Sequence, residues 1–214
     1  RNKVSELRLP TKLEDRCAGY VEAKLENNEV KYEAYVDCLT EATYFASHYV
    51  SYGGKYLDEF LDVKETSDGG YIAVGRSNSE TITKYGTGNN GKYDGIIVKF
   101  NSKGEVEWSR NFGGSNDDVF YAVAEGPAGY VAVGQTASND GDIEGYKGGS
   151  NDALIVAFDK QGNVTYKRSY GAASGTNGAE AFYDIIIDDN DYIIVGSINV
   201  ENKDGDLEGS GLLG

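Results

Sequence analysis

Closely spaced carboxylates are the residues of this chain best suited to chemistry. Asp140, Asp142 and Glu144 alternate in the run Asn139-Asp140-Gly141-Asp142-Ile143-Glu144-Gly145, and Asp204, Asp206 and Glu208 repeat the pattern. Carboxylates separated by glycine collect oxygen ligands around a hard cation, so both loops are candidate Ca²⁺ sites, and Ca²⁺ is the one cofactor these residues suggest. The twelve-position loop closed by a bidentate Glu is absent. The other reading is an acidic turn whose Asp side chains cap backbone amides. Gly86-Thr87-Gly88-Asn89-Asn90-Gly91 and Gly209-Ser210-Gly211-Leu212-Leu213-Gly214 match a dinucleotide-type glycine spacing. Neither opens a helix in a βαβ unit, so they read as loop glycines. His48 is the sole histidine, which argues against a His-based triad or a His-rich zinc site. No Gly-x-Ser-x-Gly elbow occurs, and no spacing singles out a carboxylate pair for glycoside cleavage. Trp108, Tyr121, Tyr130, Tyr146 and Tyr170 could stack on sugars, but they recur at repeat-equivalent places where aromatics pack a core. No catalytic residue is assigned, and the chain is expected not to be an enzyme.

The two cysteines bear on compartment. If Asn27-Asn28 forms a hairpin loop, paired residues sum to 55, and Cys17 falls opposite Cys38, Val21 opposite Ala34 and Leu25 opposite Val30. Opposed residues of a non-hydrogen-bonded pair come within disulfide reach. Such a bridge contributes about 3 kcal/mol in the loop-entropy picture and implies an oxidising, extracytoplasmic setting. The alternative is two free thiols facing each other in a cytosolic protein.

Positioning falls to a repeat. Asp68-Gly69-Gly70-Tyr71-Ile72-Ala73-Val74-Gly75 returns as Pro127-Ala128-Gly129-Tyr130-Val131-Ala132-Val133-Gly134 and as Asn190-Asp191-Tyr192-Ile193-Ile194-Val195-Gly196. Asp94-Gly95-Ile96-Ile97-Val98-Lys99-Phe100 returns as Asp152-Ala153-Leu154-Ile155-Val156-Ala157-Phe158, and the offsets run from 58 to 62 residues. A fixed period marks one supersecondary unit that buries its apolar face against its neighbours. Each complete unit reads as four strands. The first has Phe60–Glu65, Tyr71–Arg76, Gly95–Phe100 and Val106–Asn111; the second has Phe120–Glu125, Tyr130–Gln135, Ala153–Phe158 and Val164–Ser169. Four-residue turns join the first strand of each unit to the second, and the third to the fourth. Four antiparallel strands at this period make a β-propeller blade. The third unit stops after two strands at Gly214. Two complete and two partial blades do not close a ring, so the expectation is that the protein continues beyond Gly214 or that other chains complete it. Where the second unit has Asp140-Gly141-Asp142, the first has Ser79-Glu80-Thr81 and a longer Gly/Asn stretch; the departures between units are placed in loops.

The chain has 214 residues, 29 of them Gly and 17 Tyr, and a net charge of −15. That charge repels phosphate backbones and anionic membrane surfaces and favours cations. No run of 18 apolar residues is present, so no helical membrane span is expected in this segment.

The Asp-Gly-Gly-Tyr-Ile, Asp-Gly-Asp-x-x-Gly, Asp-Ala-Leu-Ile-Val-x-Phe-Asp and Phe-Gly-Gly pattern over residues 49–214 resembles the β-propeller repeats of bacterial secreted and cell-surface proteins. The hairpin more weakly resembles small Cys-x-Gly-Tyr-Val…Cys modules of Gram-positive surface proteins. The resemblance implies a surface-exposed, non-catalytic role, often adhesive, with a protein or glycan ligand and no nucleic acid. The expected organisation is a linker over 1–12, a disulfide hairpin module over 13–47 and propeller repeats over 48–214, in an all-β chain. The expected function is extracellular binding, adhesion or assembly. The alternatives are a propeller-type carbohydrate-active enzyme (glycosidase or lyase) and a structural subunit of a surface filament or layer.

Overall fold

The computed structural model describes residues 18–26, 29–37, 52–79, 88–171, 179–189 and 191–197. The chain divides into two units, Arg1–Tyr49 and Val50–Gly214. In the first, β1 (Ala18–Glu26) and β2 (Glu29–Asp37) form an antiparallel hairpin. Its register pairs Val21 with Ala34 and Leu25 with Val30, as the Asn-Asn loop predicts, and runs out to Ala18 opposite Asp37. Cys17 and Cys38 lie outside the described residues.

The second unit is all β among its described residues. β3 (Asp58–Glu65), β4 (Tyr71–Ser77), β5 (Asp94–Phe100) and β6 (Val106–Phe112) form one antiparallel sheet in chain order. β7 (Asp118–Gly126), β8 (Gly129–Thr136), β9 (Asp152–Asp159) and β10 (Val164–Tyr170) form another in the same way, and β11 (Ala181–Asp188) pairs with β12 (Asp191–Ser197).

The repeat is reproduced down to its irregularities. The first strand of each sheet carries a bulge at the same place, between Phe60 and Asp62, Phe120 and Ala122, and Phe182 and Asp184. Opposite each bulge stands a glycine: Gly75, Gly134 or Gly196. A Cβ on Gly134 would run into Val119 O, with Phe120 Cα only 2.9 Å away, so the second strand must be bare there for the first to press against it. The turns also match. Gly104 and Gly162 both sit at φ 79°, donating to Asn101 O at 2.9 Å and Asp159 O at 3.0 Å.

Apolar residues on alternate sides of the strands build two inter-sheet layers. Ile72, Val74 and Ile97 of the first sheet pack on Val123, Ala132, Val156 and Phe158 of the second. Val131 and Val133, the repeat equivalents of Ile72 and Val74, pack with Ala122 and Ala124 on Ile185 and Ile194 of the two-stranded sheet. β7 rests on β3, β4 and β5, and β11 on β7, β8 and β9, so the step from one sheet to the next is repeated.

The outermost faces of this stack are apolar as well. Ala73, Val98 and Phe100 form a small cluster with Tyr52 and Val106 on the first sheet, beside exposed Phe60 and Val63. On β11 and β12, Ile186, Ile193 and Val195 are exposed, Val195 by 56%.

Candidate ligand cleft and acidic fasteners

Carboxylates hold the sheets together at the edge opposite the turns. The first residue of β7, Asp118, is fully buried. It accepts hydrogen bonds from Thr136 Oγ1, from Ser138 Oγ at 2.8 Å and from the Gly114 N–H at 2.8 Å. Asp58 does the same at the start of β3, with Ser77 Oγ, Ser79 Oγ at 2.9 Å and Gly54 N–H at 2.7 Å. Each Asp thus ties the start of the first strand to the end of the second and to the preceding Gly-Gly loop. Burial pushes the Asp118 carboxyl up from its ordinary range. Asp94, also fully buried, is pushed up to about 7 by burial, with Asp118 and Asp142 adding repulsion. Its Oδ2 accepts from the Asn90 N–H at 2.9 Å.

The acidic loop after β8 joins this edge. Asp140 accepts from the Ser115 N–H at 2.7 Å and Asp142 from the Gly113 N–H at 3.3 Å. The Asp142 N–H donates to Gly113 O at 2.9 Å. Glu144 instead pairs with Lys167 at 2.8 Å, and Ile143 is buried in the core. The three carboxylates therefore serve separate partners: Asp140 and Asp142 fasten the loop to the Gly-Gly segment after the first sheet, and Glu144 ties it to β10. Among the described residues no three His, Cys, Asp or Glu side chains are brought together as a metal-holding group. Asp204, Asp206 and Glu208 lie outside the described residues, as does His48.

The turn edge carries a different arrangement. A cavity of about 550 Å³ opens between the first and second sheets, lined by Ser67, Asp68, Lys99, Glu107, Trp108, Tyr130, Lys160 and Gln161. That is within the range of ligand clefts, roughly 300–1,000 Å³. Lys99 projects from β5 and is only 2% exposed. Its ammonium lies 2.9 Å from Asp68 Oδ2 and 3.0 Å from Glu107 Oε2, and donates to Phe100 O at 3.0 Å. Both carboxylates remain open to solvent, Asp68 by 55% and Glu107 by 44%. Hydrogen bonds from Thr66, Lys99 and the Gly70 N–H hold the Asp68 carboxyl well below its usual range.

On the facing sheet, Lys160 pairs with Glu125 and sits over the Tyr130 ring at 4.8 Å. The Ser67 N–H and Oγ donate to Glu125 at 2.6 and 2.8 Å, bridging the two sheets. Burial raises the Glu125 carboxyl, but Lys160 and Ser67 more than offset it and leave it low. The Trp108 indole N–H donates to Lys160 O at 2.9 Å. Its ring packs on Gly162, where an added Cβ would lie 2.6 Å from Cε3, and against Tyr130 at 5.8 Å. Burial raises the Tyr130 hydroxyl's pKa.

Of the aromatics with stacking potential, Trp108 and Tyr130 reach this cleft. Tyr121 pairs with Tyr183 and Tyr170 with Phe182, and Tyr146 packs on the core. The polar lining is not part of the repeat. At the equivalent positions Lys99 becomes Ala157, Glu107 becomes Thr165, Asp68 becomes Pro127 and Lys160 corresponds to Ser102. The expectation that the units differ only in loops is thus corrected: Lys99 and Glu107 stand on strands. Position-by-position subtraction of one repeat from the other is the signal that finds them.

No protein-family model matches the chain. The regulatory protein FlaEY of Caulobacter vibrioides is 29% identical to it over 106 residues, which is 49% of this chain and 11% of that protein's length. The matched stretch thus spans about a ninth of that relative.

Proposed function

We propose that this chain is an extracellular binding module of the adhesion or assembly type, built from β-propeller blades. The observation that carries the reading is the cleft. Two of its polar residues, Lys99 and Glu107, depart from the repeat on strands, where the other complete unit has Ala157 and Thr165. The carboxylates at the opposite edge fit a non-catalytic role, because each is engaged by backbone amides, hydroxyls or a lysine. Ca²⁺ at the Asp140–Glu144 loop remains part of the proposal only as a fastener that would add to these bonds.

The propeller reading is supported by the repeated step between sheets. It is also supported by the outermost faces: Ile193 and Val195 occupy the positions of Ile72 and Val74, which elsewhere receive a following sheet. Another blade of the same repeat is the partner these faces fit, and this favours the assembly element of the proposal. The resemblance to FlaEY covers about half of this chain and about a ninth of that protein, and a regulatory role is not carried across from it. A Cys17–Cys38 bridge and an oxidising location complete the proposal, supported by the hairpin register that leads up to both residues.

Incubation with a broad glycan panel, followed by mass spectrometry of the glycans, tests the non-catalytic element. Ligands recovered with unchanged mass are the expected result. Cleavage or elimination of any glycan would overturn it in favour of a carbohydrate-active enzyme.

A further inference from the structure

The two apolar end faces of the second unit are different from each other. In the step from the first sheet to the second, Ile72, Val74 and Ile97 press on Phe112, Phe120 and Phe158. These rings form a triad with centroids 5.9, 6.5 and 6.2 Å apart and planes inclined by 36°, 82° and 87°. Val123 beside them is fully buried.

The outer side of the first sheet carries the same triad already assembled. Tyr52, Phe60 and Phe100 hold the repeat-equivalent positions. Their centroids are 5.8, 6.3 and 6.2 Å apart and their planes inclined by 34°, 83° and 78°. This triad stands open: Phe60 is 39% exposed, and Val63, the counterpart of Val123, is 58% exposed. The other end face presents the complement. Ile193 and Val195 take the places of Ile72 and Val74, and also those of Val131 and Val133, which pack on the third sheet. Val74 and Val133 are fully buried where a sheet follows them, whereas Val195 is 56% exposed.

One face thus receives and the other inserts, and a single chain carries both. The contact that would join them is one the chain already makes within itself, so a second copy supplies a face of the matching kind. Covering these residues removes apolar surface from water, and the receiving rings already have the geometry of the covered triad, which lowers the cost of docking. Because the two faces differ, the contact is heterologous. A pair keeps one free face of each kind, and growth stops only where a ring closes.

We propose that the Ile193/Val195 face of one copy seats on the Tyr52/Phe60/Phe100 face of another, continuing the sheet-to-sheet step between molecules. The proposal rests on reading the sheets as propeller blades and names the partner of their open faces.

Sedimentation velocity of the full chain tests it at about 0.15 M salt, where a Debye length of about 8 Å screens the repulsion between copies. Val63→Lys alters the receiving face and Val195→Lys the inserting face. Both residues are more than half exposed, so both variants should melt with the parent, and Ile193→Lys should behave as Val195→Lys does. The parent should associate as its concentration rises. Val63→Lys alone and Val195→Lys alone should each stay monomeric. Their equimolar mixture should form a dimer that grows no further, because one intact face of each kind remains. A variant that still pairs with itself would overturn the proposal, since contact between like faces survives a lesion on the other face. So would a mixture that stays monomeric while the parent associates. A parent that is monomeric at every concentration would overturn the second copy as partner and leave the binding-module reading, which rests on the cleft, standing. Glycan turnover would overturn that reading and leave the mixing result unchanged.

Discussion

Lys99 occupies a position where the second repeat needs only Ala157, and burying an ammonium there requires two carboxylates and a carbonyl. Lys99→Ala removes the cation and leaves Asp68 and Glu107 facing each other. Because those partners are half exposed, the expected loss is about 1–3 kcal/mol, read by urea unfolding. Asp68 follows the linkage rule for a depressed carboxyl. Its contribution is present above the unfolded carboxylate range and fades as pH falls through and below it. Asp94 runs the other way. Its folded pKa near 7 lies above its unfolded value, so its protonated form is the one the fold favours. Its contribution is complete below about pH 4 and is lost as pH rises through 7. Asp94→Asn should therefore raise stability more at pH 8 than at pH 4, and an equal effect at both would contradict this assignment. Neither Lys99 nor Asp94 announces itself in the sequence. A lysine in an apolar strand reads as a solvent-facing position, and an Asp at a strand start reads as a turn residue. Only the packing of one sheet on the next buries them.

The β-bulge and its glycine are the constraint that makes each sheet. Gly134→Ala would force the Cβ into the backbone at Val119 and Phe120, and should cost at least about 1–3 kcal/mol. Thr136→Val, which takes one hydroxyl from Asp118, should cost about 1–2 kcal/mol, with both measured as shifts of the denaturation midpoint. The eight strands of the two complete units were legible because their apolar residues and turn glycines recur at a fixed period. The hairpin register was legible from the Asn-Asn loop alone. The acidic loop was only half legible. Asp140, Asp142 and Glu144 announce carboxylate chemistry, but the partners that occupy them, the Ser115 and Gly113 amides and Lys167, come from a neighbouring sheet and a distant strand. Spacing along a chain carries no information about such partners.

Across the whole molecule, apolar faces at both ends of the stack are of the same kind as the buried ones between sheets. If another blade is their partner, the isolated chain should associate with itself as concentration rises, and Ile193→Lys should suppress that association in sedimentation velocity. A monomer at every concentration would contradict it. Prepared from an oxidising compartment, the protein should resist alkylation at Cys17 and Cys38 until it is reduced. The claim at the centre of the account is that binding resides where the first two sheets fail to repeat. A glycan and surface-protein array probed with the parent chain and with the double variant Asp68→Asn/Glu107→Gln, at two positions where the repeat is broken, tests it most directly. The account predicts that the parent binds discrete ligands and that the folded variant loses them. Undiminished binding by the variant would contradict it.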